Sequence, residues 1–180
     1  MGIRATYRPV LPEHLPLTDE ATIAAYCHSP LIDAAALSRM EGYGMPAELL
    51  AEMRAAHARA AELPAACGID KAWDALHRLL ASDAVLAIAV LGKHPVGPDL
   101  SYGPAQLLTP DEVAAIADAW PRAEPLVRAA WASEGPGDAY PDVWDEPDVL
   151  DSYLLPRLSN LGRVFAAAAG EGCGVLAWLS

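Results

Sequence analysis

Apolar and polar residues follow two different periods along this chain. The clearest is helical. Ile69, Trp73, Leu76 and Leu80 recur at steps of four and three, while Lys71, Asp74 and Arg78 lie off that stripe. This spacing predicts an amphipathic helix over Ile69–Leu80, with Asp70 as a possible N-cap. The opening Gly2–Pro9 carries Ile3 and Tyr7 and leads to Val10, with Pro9 and Pro12 as stops. It predicts a strand, centred on Ile3–Arg8. Val85–Leu91 is apolar throughout. Periodicity alone fits a buried strand or a short helix there, and the Gly92, Pro95 and Gly97 that follow favour the strand. Leu100–Leu108 predicts another strand, with Gly103-Pro104 marking an edge or a bulge. Val175–Leu179 predicts the last strand.

Capping residues place the remaining helices. Thr18, followed by Asp19 and Glu20, starts one that stops by Ser29, before Pro30. Ala34–Met40 is a short helix broken by Gly42 and Gly44. Pro46 opens an Ala-, Glu- and Arg-rich helix running to Leu63. Thr109-Pro110-Asp111-Glu112 has the form of a capping box, opening a helix that turns Val113, Ile116 and Trp120 inward. A further helix covers Glu124–Ser133. The last spans Pro147–Ala169, with a kink at Pro156. Between these two, Glu134–Asp151 holds seven acidic residues and no Lys or Arg, with Pro136, Pro141 and Pro147. It reads as an acidic loop or lid, with Glu134–Asp145 the most mobile internal segment. No repeat interrupts the pattern. Together these elements predict a single α+β domain over residues 1–180, a small, mainly antiparallel sheet with helices packed against it.

Charge and composition narrow the classes of function. The chain has 180 residues and a formal net charge of −12. An anionic surface repels phosphate backbones and no basic cluster offsets it, so nucleic acid is not an expected partner. A cationic protein or a small ligand fits better. No apolar run reaches the roughly 20 residues that span a bilayer. Met1–Val10 does not have the form of a secretory signal, so the cytoplasm is the expected location. Cys27, Cys67 and Cys173 are odd in number and widely spaced. They suit neither a disulfide framework nor a zinc site, and read as reduced, buried thiols.

Three stretches carry a family resemblance. They are Ile69-Asp70-Lys71-Ala72-Trp73-Asp74-Ala75-Leu76-His77, then Asp99-Leu100-Ser101-Tyr102-Gly103-Pro104-Ala105 running into Leu108-Thr109-Pro110-Asp111-Glu112-Val113, and the closing Gly174-Val175-Leu176-Ala177-Trp178-Leu179-Ser180. In this order and spacing the chain resembles the YfbM-like family of small bacterial proteins of unknown function. The resemblance implies a compact α+β fold. It implies no reaction and supplies no catalytic residues.

The candidate chemistry is sparse. No G-x-S-x-G elbow, phosphate-cradling glycine loop or metal-ligand spacing of His and Cys occurs, so no cofactor and no metal is expected. Asp70, Trp73 and His77 fall along one edge of the helical stripe, and Tyr102 lies in the glycine-bearing turn beyond it. They are candidate ligand-binding residues, with His77 and Tyr102 bordering one cleft floored by Trp73. Packing alone would give the same pattern. Tyr102, Tyr140, Trp144 and Tyr153 could line an aromatic pocket. In the acidic loop, Asp142, Trp144 and Asp145 are candidates for contact with a cationic partner. A non-enzymatic binding or interaction protein, using its acidic surface or an aromatic cleft, is the favoured class. A small-molecule enzyme using Asp70, His77 and Tyr102 for acid–base work is the alternative.

Overall fold

The computed structural model describes residues 2–29, 32–100, 102–141, 144, 146 and 148–180. In chain order the elements are β1 (Ala5–Val10), α1 (Glu20–Tyr26), α2 (Ala34–Gly42), α3 (Ala47–Ala60), β2 (Cys67–Asp70), α4 (Trp73–Leu80), α5 (Ile88–Leu91), β3 (His94–Asp99), β4 (Pro104–Leu108), α6 (Pro110–Ala119), α7 (Ala123–Ser133), α8 (Leu155–Gly170) and β5 (Gly174–Leu179). The strands make one sheet in the order β2-β1-β5-β4-β3, and each neighbouring pair is antiparallel. The fold is α+β, as the sequence pattern predicts.

The expected union of the first and last strands is present. Ala5 pairs with Leu179, and the register holds to Val10 opposite Gly174. Arg4 and Ser180 extend it by exchanging both backbone hydrogen bonds, at 2.8 and 2.9 Å. Antiparallel pairs alternate between bonded and unbonded, so Thr6, Arg8 and Val10 bond across to β5. Pro9 therefore aims its missing donor at the β2 side, where pairing has already ended at Tyr7 opposite Cys67. This is how a strand can hold a proline in its interior.

Side-chain alternation sends the two faces of the sheet into separate cores. Ala5, Tyr7, Ile69, Leu108, Val175 and Ala177 join α4 to α8 through Leu76, Ile116, Val127 and Phe165. On the other face Val10, Leu107, Leu176 and Trp178 pack on Ile23 and Tyr26 of α1. Arg8 is also buried on that second face. Its guanidinium donates to the Ala25 carbonyl at 2.9 Å and the His28 carbonyl at 3.4 Å, so a cation closes the C-terminal end of α1.

Local signals fare unevenly. The Thr109–Glu112 capping box forms with both reciprocal bonds. Asp19 rather than Thr18 caps α1. Two assignments are overturned, and one strand went unforeseen. Ile69 is not the first residue of a helix but the buried centre of β2; the helix begins at Trp73, and Asp70 caps nothing. A strand followed by a tight turn returned the same residues to the core, so the apolar spacing mimicked one continuous helix. Val85–Leu91 is not a strand: Asp83 accepts from the Val85 and Leu86 amides, and the run closes as helix α5. The segment His94–Asp99, with its glycine and prolines, is a strand after all. It occupies the sheet edge, where such residues block further pairing. At Pro156 the expected kink takes another form. Residues Leu150–Leu154 make a wide turn in which the Leu155 amide reaches the Leu150 carbonyl, and α8 starts regularly after it.

Candidate functional site

The polar centre of the molecule lies where β2 ends. Asp70 has φ of 54°, in the left-handed region, and the β1–β2 register shifts between Ala5 and Thr6 beside it. Asp tolerates this backbone better than most residues, yet a non-glycine there still costs about 1–2 kcal/mol. The twist turns the carboxylate toward two partners. Oδ1 lies 3.0 Å from Nε of Arg4, and Oδ2 accepts from the Tyr153 hydroxyl at 3.0 Å. The same hydroxyl accepts from the Lys71 backbone amide at 3.2 Å. Tyr153 comes from the wide turn before α8, and Arg157 follows it by one helical turn. That spacing sets the Arg157 guanidinium over the Tyr153 ring, 4.3 Å from its centroid. Burial pushes the Tyr153 phenol up, and its bond to the Asp70 carboxylate pushes it the same way. The phenol therefore stays protonated at neutral pH and acts as a donor.

Asp70 is a wall shared by two cavities. One, of about 460 Å³, is lined by Asp70, Lys71, Trp144, Val149, Ser152 and Tyr153 among others. The second, of about 370 Å³, is lined by Arg4, Thr6, Gly68, Asp70 and Arg157 among others. Beside them, Trp73 donates from its indole to the Ile3 carbonyl at 3.1 Å and stacks obliquely on Tyr140, with centroids 6.3 Å apart. Tyr140 is pinned twice, its amide donating to Asp74 at 2.7 Å and its hydroxyl accepting from the Ile3 amide at 3.1 Å.

The structure gathers some of the sequence-derived candidates and separates others. Asp70, Trp144 and Tyr153 converge, and Trp73 packs alongside. Tyr102 does not join them. It is 53% exposed and lines a different cavity, of about 280 Å³, with Gly92, Gln106 and Leu179 among others. His77 lines neither this cavity nor the two at Asp70, and its Nδ1 is buried without a hydrogen-bond partner among the described residues. The cleft expected between His77 and Tyr102 is thus not formed. The reason is topological: β1 and β5 stand between β2, which leads into α4, and β4, which follows Tyr102. Trp144 is buried at 6% exposure and donates to the Ala139 carbonyl at 2.7 Å, so its ring lines a cavity rather than an open surface. Asp142 and Asp145 lie outside the described residues. Arg4 and Arg157 escaped the sequence reading. The Tyr153-to-Arg157 step of four was the available sign for one; nothing local marked the other. Among the described residues, no group of three or more His, Cys, Asp or Glu could hold a metal ion, and no helix is long and apolar enough to cross a membrane.

A family model described as a domain of unknown function, DUF1877, matches residues 1–178. The chain belongs to the DUF1877 family. Among solved structures, this DUF1877 protein is similar to a protein of unknown function, YfbM from Escherichia coli. The two share 18% identity with a TM-score of 0.58, over 98% of this chain and 99% of that one. The resemblance to YfbM-like proteins is therefore borne out in family and in fold. No curated protein matches the chain.

Proposed function

We propose that this DUF1877 protein is a non-enzymatic binding protein whose site is the pair of cavities that meet at Asp70. One observation carries this: a residue in a strained backbone conformation holds a carboxylate at the wall between two cavities, tied to Arg4 on one side and Tyr153 on the other. Strain of this kind is retained where the surroundings over-determine it, and such places cluster at binding sites. Acid–base chemistry fits less well. Asp70 is tied to Arg4 and to the Tyr153 hydroxyl, and burial and the Asp70 carboxylate hold that phenol in its protonated form, so it is no base near neutral pH. The acidic surface remains a reason for solubility rather than for a particular partner. A cytoplasmic location fits three free cysteines, Cys27, Cys67 and Cys173.

The test is a small-molecule screen followed by heteronuclear NMR of the indole N–H groups. Ligands of this site should shift the Trp144 signal. Tyr153→Phe should keep the fold and weaken those ligands about tenfold or more, since one hydrogen-bonded corner of the site is lost. Ligands that leave Trp144 unmoved, or that bind Tyr153→Phe unchanged, would remove the site from this part of the molecule.

A further inference from the structure

The geometry points to an oxyanion, a carboxylate or a phosphate monoester, as the group that this site recognises, gripped by Arg157 with Arg4 while an apolar part rests against Trp144 and Tyr153. This rests on the Asp70 cavities being the binding site.

The charges are arranged against the trend of the chain. The molecule carries a net −12, with only 12 Lys and Arg in all. Three of those cations, Arg4, Lys71 and Arg157, line the two cavities. Elsewhere the cations are mostly spent. Arg54, Arg78, Arg122, Arg128 and Lys93 each lie within 3.4 Å of a carboxylate. Arg157 and Lys71 form no ion pair among the described residues. Arg157 is held by the face of the Tyr153 ring. A guanidinium held that way uses none of its N–H donors, and its planar fork matches two oxygens of a carboxylate or phosphate.

Asp70 is the obvious objection, because a carboxylate repels an anion. Its charge is matched by Arg4 at 3.0 Å. Glu146 lines the other cavity together with Lys71, so what draws an anion is not net charge but Arg157, whose guanidinium has no carboxylate partner among the described residues. The long-range field of the acidic chain is screened beyond about 8 Å at physiological salt, so the local guanidinia decide. Asp70 then has a positioning role. It holds the Arg4 guanidinium by its Nε edge, and it fixes the Tyr153 hydroxyl. The Tyr153 ring is the common piece of the site: one neighbour is Arg157, and the other is the Trp144 ring at a centroid distance of 6.3 Å. A ligand with an anionic head and a flat apolar body meets both kinds of surface.

The experiment titrates three probes of similar shape into the full chain at low salt, by calorimetry and by the Trp144 indole signal: phenyl phosphate, benzoate and neutral benzyl alcohol. The expected result is that at least one anion binds tenfold or more tightly than benzyl alcohol. Whichever of the two is tighter identifies the headgroup as phosphate or carboxylate. Arg157→Gln should abolish that preference with at most a small drop in melting temperature, since among the described residues Arg157 pairs with no carboxylate and the change costs only its contact with the Tyr153 ring. Arg157→Lys should restore part of it. Equal binding of all three probes, each shifting Trp144, would overturn the oxyanion and leave the cavity as a binding site. An anion preference that survives in Arg157→Gln would overturn the assignment to this guanidinium. If none of the probes binds or moves Trp144, both the oxyanion and the site fall.

Discussion

Replacing Gly162 with Ala should destabilise the protein, although alanine is the better helix former. Gly162 lies buried in the middle of α8. The pyrrole side of the Trp120 indole occupies the space beside it. A methyl group built there would stand 2.6 Å from Cδ1 and 2.7 Å from Cε2, with Nε1 nearer still. The ring cannot slide away freely, because its neighbour is Phe165, at a centroid distance of 5.4 Å. Glycine to alanine inside a helix gains about 0.5–1 kcal/mol. Forcing a methyl into an occupied contact costs about 1–3 kcal/mol. The balance is a loss of about 1–2 kcal/mol, or about 2–8 °C in melting temperature for a domain this size. The sharper forecast is a change of sign. In a Trp120→Ala background the methyl enters empty space, so Gly162→Ala should stabilise by about 0.5–1 kcal/mol. The coupling in the double-mutant cycle is then about 2 kcal/mol. Urea denaturation of the four proteins reads it directly. Stabilisation by Gly162→Ala in the wild-type background, or additive effects in the cycle, would refute the contact as the reason for glycine.

Two further perturbations test the core and its charged cap. Tyr7 is fully buried and donates to the Val90 carbonyl at 2.7 Å, so Tyr7→Phe should cost about 1–3 kcal/mol in urea unfolding; a loss below about 0.5 kcal/mol would mean that the carbonyl has found another donor. Burial raises Glu112, but bonds from Lys93, the Thr109 amide and hydroxyl, and His94 outweigh it and hold the carboxyl at about 2. The folded value lies below the unfolded one, so the unfolded chain takes up the proton first as pH falls. Stability from Glu112 is therefore complete above about pH 4.5 and lost toward about pH 2. The difference in urea midpoint between wild type and Glu112→Gln should be full at pH 7 and clearly smaller at pH 3, and an unchanged difference at pH 3 would count against it.

What the sequence made legible was what neighbouring residues decide by themselves. The capping box at Thr109 and Glu112 needs only three intervening positions, and it formed as predicted. The short apolar strands at the two ends of the chain had backbone groups to satisfy and found each other. Ile69 misled because strand, turn and helix can return residues to one core at helical spacing. β3 hid behind prolines that are acceptable only on an edge, and the sequence does not say which strand is the edge. The site followed the same division. Asp70, Trp144 and Tyr153 stood out as residue types with chemistry. Their convergence with Arg4 and Arg157 depends on β1 lying beside β2 and on a wide turn before α8, both of which are tertiary facts. His77 and Tyr102 were joined by the expectation that consecutive elements touch, which this strand order breaks.

The strand order also bears on how the chain is made. β5 is the last element in chain order, yet it is the middle strand, the one that joins β2-β1 to β4-β3. A ribosome delivers every other strand first. Until residues 174–179 emerge, the growing chain holds two separate ribbons, each with an open inner edge at β1 or β4. Exposed edges invite pairing with other chains. Pro104 blunts one of them at its end, and Pro9 turns its missing donor the other way and leaves the β1 edge intact. Synthesis thus passes through a window in which this protein is sticky along β1, and that window closes only when its final strand threads between the two ribbons.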